Sequence, residues 1–178
     1  DLNTGGLIKE ITLSEVKPAY NRAIFNLVFS PDGKGLAALA YDGSLHVYYD
    51  NWSFSIAGDG GKAQGAALSF SPNGDLLAVG GGSLADNLRV YDLSSTWPEV
   101  IFDLEEPKGI VRNVSFNADG SIITAAINGA VLFWDVATGE QLSRLDYKPS
   151  VYSVAFSPDG TRLATVGGGL RIWGIQQP

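Results

Sequence analysis

Short apolar runs, each bounded by glycine, proline, asparagine or aspartate, recur along the whole chain. Leu27-Val28-Phe29 leads into Ser30-Pro31-Asp32-Gly33, and the same order returns at Leu68 to Gly74, Val114 to Gly120 and Val154 to Gly160. After each turn comes a second small apolar run: Leu36 to Ala40, Leu76 to Val79, Ile122 to Ala126 and Leu163 to Val166. A third run alternates and ends in an aromatic: Leu45 to Tyr48, Leu88 to Tyr91, Val131 to Trp134 and Leu170 to Trp173. Alternation at period two predicts half-buried strands, and punctuation every eight to twelve residues or so argues against helices. The best helical candidate, Ile8 to Val16, is short, and Leu7 to Leu13 reads better as a strand.

The turns have local causes. Proline presets the first turn position, aspartate bonds to nearby backbone, and glycine accepts positive φ. Asp42-Gly43 and Asn128-Gly129 suit two-residue hairpin loops. Each unit therefore reads as an antiparallel meander. Phe29, Phe70, Phe116 and Phe156 stand 41, 46 and 40 residues apart, the period of a propeller blade.

The strand inventory completes that picture. An outer strand is expected after each aromatic-ended run, at Trp52 to Ala57, Val100 to Leu104 and Gln141 to Leu145. With Leu7 to Leu13 added, four repeats supply enough strands for four four-stranded blades. The expected fold is all-β, a single propeller domain over residues 1–178, with repeats at about 7–49, 50–92, 93–135 and 136–175. Strand 7–13 is expected to pair with the last repeat and remove the open edges. That pairing closes one chain as four blades, or two chains as an eight-bladed homodimer with two-fold symmetry. Strong curvature counts against four blades and favours the two-chain ring. A piece of a longer propeller is the third possibility.

These residues resemble the WD-repeat family. The likeness rests on the Phe-Ser-Pro-Asp-Gly turn and on an aromatic–acid ending, Trp134-Asp135 and Tyr91-Asp92, with Tyr48-Tyr49 and Trp173-Gly174 as variants. Val136-Ala137-Thr138-Gly139-Glu140 is similar to a linker of prokaryotic members. The resemblance implies a buried network led by a Gly-His before the first strand of a blade. The single histidine, His46, lies instead in a third strand, aligned with Arg89 and Arg171. It is expected at a surface-like position, with no such network in any blade.

Composition narrows function. The chain has 45% hydrophobic and 17% charged residues, enough to bury a core. A net charge of −7 leaves no positive footprint, so nucleic acid and anionic membrane are not expected partners. Without cysteine and with one histidine, neither a zinc site nor a hydrolase triad is expected, and no cofactor and no enzyme activity are inferred. Gly80 to Gly82 and Gly167 to Gly169 lack the Lys-Ser/Thr of a phosphate loop, and the Asp-Gly turns lack a calcium-loop spacing. Asn51-Trp52-Ser53 and Asn113-Val114-Ser115 match a glycosylation pattern that is common by chance. The chain opens on Asp1 and contains no methionine, so its start is expected to be a processed or cut end, and no compartment is indicated.

The resemblance also implies a protein-binding face where the innermost strands begin. Equivalent positions there are Phe25, Ala66, Arg112 and Tyr152; Gln64 lies just before an innermost strand, and Tyr41 lies before the next hairpin turn. Aromatic residues and arginine are enriched at binding hot spots. Phe25, Tyr41, Gln64, Arg112 and Tyr152 are therefore candidate contacts, against the plainer reading that they fill the channel mouth. Trp97, beside Pro98 in the longest repeat, is either an exposed anchor or the cover of a blade edge. The expected function is a non-catalytic protein-interaction or self-assembly scaffold. The alternatives are a sugar-like ligand-binding propeller and an accessory fragment of a larger enzyme or signalling protein.

Overall fold

The protein is represented by a computed structural model that describes residues 6–7, 10, 23–56, 66–81, 88–95, 97–104 and 110–175. Four antiparallel sheets follow one another along the chain. Sheet one holds β1 (Ile24–Phe29), β2 (Leu36–Ala40), β3 (Leu45–Tyr48) and β4 (Ser53–Ile56). Sheet two holds β5 (Ala66–Phe70), β6 (Leu76–Gly81), β7 (Leu88–Asp92) and β8 (Glu99–Leu104). Sheet three holds β9 (Asn113–Phe116), β10 (Ile122–Ile127), β11 (Ala130–Asp135) and β12 (Gln141–Asp146). Sheet four holds β13 (Ser153–Phe156), β14 (Arg162–Val166) and β15 (Leu170–Gly174). Each is a simple meander in chain order, and among the described residues the last has three strands.

The all-β meander expectation is met, with outer strands β4, β8 and β12 close to their anticipated limits. Strand 7–13 and the ring closure assigned to it lie outside the described residues, apart from Leu7 and Glu10, which are exposed and not in a strand. The described hydrogen bonds do not close a ring.

The local reason for each turn is more specific than proline and glycine. Ser30 Oγ donates to Asp32 Oδ1 and accepts the Gly35 N–H at 2.7 Å. One hydroxyl thus ties the turn acid to the start of the next strand. Ser71 repeats this with Asn73 at 2.7 Å and the Leu76 N–H at 2.9 Å. Ser157 repeats it with Asp159 and the Arg162 N–H. In the third repeat the side-chain carbonyl of Asn117 accepts the Ile122 N–H at 2.9 Å, which explains why asparagine replaces serine there. The turn glycines Gly33, Gly74, Gly120 and Gly160 have φ between 71° and 82°, a region that penalises a side chain. Hydrogen bonds from the Ser157 hydroxyl, then from the Thr161 N–H and hydroxyl, hold the Asp159 carboxyl down at about 2. That contribution is complete above the ordinary value of 3.8 and fades as pH falls through about 2.

The sheets stand face to face, and their innermost strands β1, β5, β9 and β13 touch in succession. Three apolar joints result. The first packs Leu39, Leu45 and Val47 against Leu68, Phe70, Leu77 and Tyr91. The second packs Ala78, Leu88 and Val90 against Val114, Phe116, Ile123 and Trp134. The third packs Ala126 and Val131 against Val154 and Leu163, flanked by Phe133, Phe156 and Trp173. Close approach excludes a side chain at Gly80, where a Cβ would stand 2.4 Å from Val111 Cγ1.

Buried polar groups are matched where they occur. The Trp173 indole N–H donates to the buried Thr165 hydroxyl at 3.0 Å, and the Val154 N–H donates across the third joint to Asn113 Oδ1 at 2.9 Å. Asn113 is therefore a joint residue. Because Phe116 is buried in the second joint, Phe116→Ala is expected to cost about 3–5 kcal/mol, whereas Leu142→Ala on outer strand β12 should stay within about 0.5 kcal/mol of wild type. Urea unfolding of both variants measures the difference; equal losses would contradict the joint assignment.

Candidate functional site

The ends of the sheets where the innermost strands begin bring together several of the candidate contacts. The Tyr41 N–H donates to Ala23 O at 2.8 Å, Arg112 N–H to Ala126 O at 2.9 Å and Tyr152 N–H to Val166 O at 2.7 Å. These bonds extend the first-to-second strand ladders past the last regular pair, so the backbone under each contact is fixed.

Arg112 and Tyr152 meet across the third joint. The guanidinium lies 5.1 Å from the centre of the Tyr152 ring, within cation–π range. Arg112 Nε also donates to Asn128 Oδ1 at 3.0 Å. The arginine is thereby held by the hairpin turn of its own sheet and by the first aromatic of the next. Tyr152 remains 53% exposed, so a rigidly placed ring faces outward. Phe25 and Tyr41 form a second aromatic pair, with centroids 5.0 Å apart. Phe25 sits at a bulge between Ile24 and Asn26 and is exposed. Gln64 lies outside the described residues, as does the side chain of Ala66. Trp97 is 78% exposed, and that exposure does not fit the role of blade-edge cover.

His46 requires a correction. It is 3% exposed, not surface-like, and it centres a polar chain. Ser44 Oγ donates to Asp42 Oδ1 at 2.6 Å, which leaves that hydroxyl as an acceptor toward His46 Nε2 at 3.0 Å. His46 Nδ1 faces Ser55 Oγ at 3.0 Å. The assignment that matches every donor is a neutral ring with its proton on Nε2, accepting from Ser55 at Nδ1. Sheet one thus carries an Asp–Ser–His–Ser network on its hairpin and outer strand, although the histidine comes from a third strand. Strand alternation alone could not reveal this, because it gives a side chain's face and not what covers the face. Among the described residues no three His, Asp or Glu converge as a metal site. The hydroxyls beside His46 are committed to the turn and to the outer strand, so the network's evident task is structural.

Comparison with known proteins agrees with this architecture. A family model described as "WD domain, G-beta repeat" matches residues 139–173. The human U3 small nucleolar RNA-associated protein 4 homolog is 30% identical over 83% of this chain and 23% of its own length. The rice small ribosomal subunit protein RACK1y is 28% identical over 69% of this chain and 38% of its own. The Schistosoma mansoni WD repeat-containing protein SL1-17 is 30% identical over 92% of this chain and 56% of its own.

The chain belongs to the WD-repeat family. It spans under two thirds of the length of each of these relatives. The WD-repeat match falls on the linker Gly139-Glu140 through Trp173, which includes β12 and nearly all of sheet four. The matched repeat and sheet four are therefore out of phase by one strand: sheet three takes its outer strand, β12, from the start of the matched repeat. No helix among the described residues is long and apolar enough to cross a membrane.

Burial lowers the His46 pKa below its ordinary 6.5, and the Asp42 carboxylate opposes that shift. A depressed histidine contributes stability that is complete above 6.5 and is lost as pH falls toward the folded value. The melting temperature should therefore decline as pH falls below about 6.5, and His46→Gln, which can keep both hydrogen bonds, should flatten that decline. Thermal melts across this range test it; the same slope in both proteins would contradict a buried neutral imidazole.

Proposed function

We propose that this WD-repeat chain is a non-catalytic protein-interaction scaffold, with its contact surface at the end of the sheets bearing Arg112 and Tyr152. The carrying observation is the outward Tyr152 ring, pinned by a guanidinium that is itself fixed to Asn128. An aromatic with little freedom left to lose, beside an arginine, is the composition of a binding hot spot. Phe25 with Tyr41 extends the set of anchors at this end; the exposed Trp97, in the turn between β7 and β8, lies at the opposite end of sheet two.

Two further considerations support a protein partner. Equivalent innermost-strand positions carry Phe25, Ala66, Arg112 and Tyr152, so they offer one irregular footprint. A sugar-like ligand held at symmetric sites would need the same polar group in each sheet. The names of the human and rice relatives associate those proteins with a nucleolar RNA and a ribosomal subunit. A net charge of −7 favours contact with protein over contact with a phosphate backbone. An accessory role within a larger protein is compatible with the same surface.

Affinity purification with quantitative mass spectrometry provides the test. A partner enriched by the wild-type chain should fall about tenfold or more with Tyr152→Ala or Arg112→Ala, and remain with Leu142→Ala on the outer strand. Retention of every partner by all three variants would remove this face as the contact surface.

A further inference from the structure

Three of the four tryptophans pack between sheets. Trp52 flanks the first joint, Trp134 is buried in the second and Trp173 flanks the third. Trp97 belongs to none of these clusters and is 78% exposed. It lies in the turn between β7 and β8, at the outer margin of sheet two. Both faces of that sheet are already covered, one by sheet one and the other by sheet three. A sheet stacked beyond sheet one or beyond sheet four would therefore not cover this turn.

The backbone around Trp97 is held in place. The Leu93 N–H donates to Asp75 O at 2.7 Å, the Ser94 N–H to Asp92 Oδ1 at 2.8 Å, and the Ser95 hydroxyl to Trp97 O. Pro98 narrows the backbone choices of Trp97 further. An exposed ring on a fixed backbone has less freedom to lose on binding. Val100 and Ile101 follow on edge strand β8 and are 48% and 39% exposed. The surroundings are acidic. Asp75, Asp92 and Glu99 stand at this end of sheet two, with Asp50 on one neighbouring sheet and Asp135 and Glu140 on the other. Among the described residues, Lys34 is the one basic side chain at this end of sheets one to three. Hydrogen bonds from the Ser94 hydroxyl and then its N–H hold the Asp92 carboxyl below its ordinary 3.8, so its charge persists. The opposite end of the sheets carries Arg112, Lys148 and Arg171 instead.

We propose that Trp97, Val100 and Ile101 form a second docking point, which takes a lysine- or arginine-rich segment of a partner protein with hydrophobic side chains set among its charges. Charge complementarity selects the occupant. A basic segment is attracted by the carboxylates around the turn and can place a cation over the indole face, while its hydrophobic side chains cover Val100 and Ile101. An acidic segment is repelled by the same carboxylates, and so is a phosphate backbone. This docking point lies at the other end of the sheets from Arg112 and Tyr152 and does not rest on that face being a contact surface.

Two measurements on the whole chain test it. The first is iodide quenching of tryptophan emission. Trp97→Phe should remove most of the quenchable emission, because Trp97 is the most exposed tryptophan. Equal quenching of wild type and Trp97→Phe would mean that another segment of the chain or a second copy covers this ring, and would overturn the proposal. The second is fluorescence anisotropy with a labelled Lys-Lys-Leu-Lys-Lys-Leu-Lys-Lys peptide and its glutamate counterpart as probes. The lysine peptide should bind wild type, about tenfold or more weakly with Trp97→Ala, undiminished with Tyr152→Ala, and less tightly as salt rises. The glutamate peptide should not bind. Failure of the lysine peptide to bind, equal binding of both peptides, or equal binding to wild type and Trp97→Ala would each overturn the proposal. A loss confined to Tyr152→Ala would instead place the contact on the opposite end.

Discussion

A sheet that is apolar on both faces is stable only with a neighbour on each side, and that constraint organises this molecule. Sheets two and three satisfy it completely. Their near faces present Leu68 with Phe70 and Val114 with Phe116, and their far faces present Leu88 with Val90 and Val131 beside Phe133. Each sheet therefore stabilises the next through dispersion and exclusion of water rather than through polar links. The surface ion pair Arg89–Asp103, at 2.9 Å, adds little by comparison.

Turn chemistry sets the spacing that makes these joints repeat. The Ser30, Ser71 and Ser157 hydroxyls, and the Asn117 carboxamide, lock the first hairpin of each sheet to the next strand. Because each lock is local, every sheet presents its Leu/Val-x-Phe pair at the same height. The joints can then have one design with varied contents: Tyr91 in the first, Trp134 in the second, Trp173 in the third. Where a polar group enters a joint, a partner is supplied, as with Thr165 for Trp173 and Asn113 for the Val154 N–H.

Much of this is readable along the chain because it is local. Period-two alternation and the Ser-Pro-Asp-Gly turns mark β1 to β15 with small shifts at their ends, and the forty-residue interval between phenylalanines marks the repeat. Features that depend on neighbouring sheets are not readable in this way. His46 aligns with Arg89 and Arg171, yet it is buried and hydrogen-bonded, because Ser44 and Ser55 happen to flank it across the hairpin and the outer strand. The repeat alignment puts Arg112 and Tyr152 at equivalent positions, but their contact crosses a joint and appears only when sheets three and four are stacked. Trp97 fits two roles along the chain, and only its exposure separates them. Gln64 and most of the segment 7–13 lie outside the described residues.

The central claim is that the joints, not the individual meanders, hold the fold together. Hydrogen–deuterium exchange read by peptide mass spectrometry examines that claim most directly. Peptides containing β6 and β10, the second strands of the two sheets covered on both faces, should exchange together and only on global unfolding. Exchange of the two peptides at separate rates, each faster than global unfolding, would show that the meanders open singly and would contradict the account.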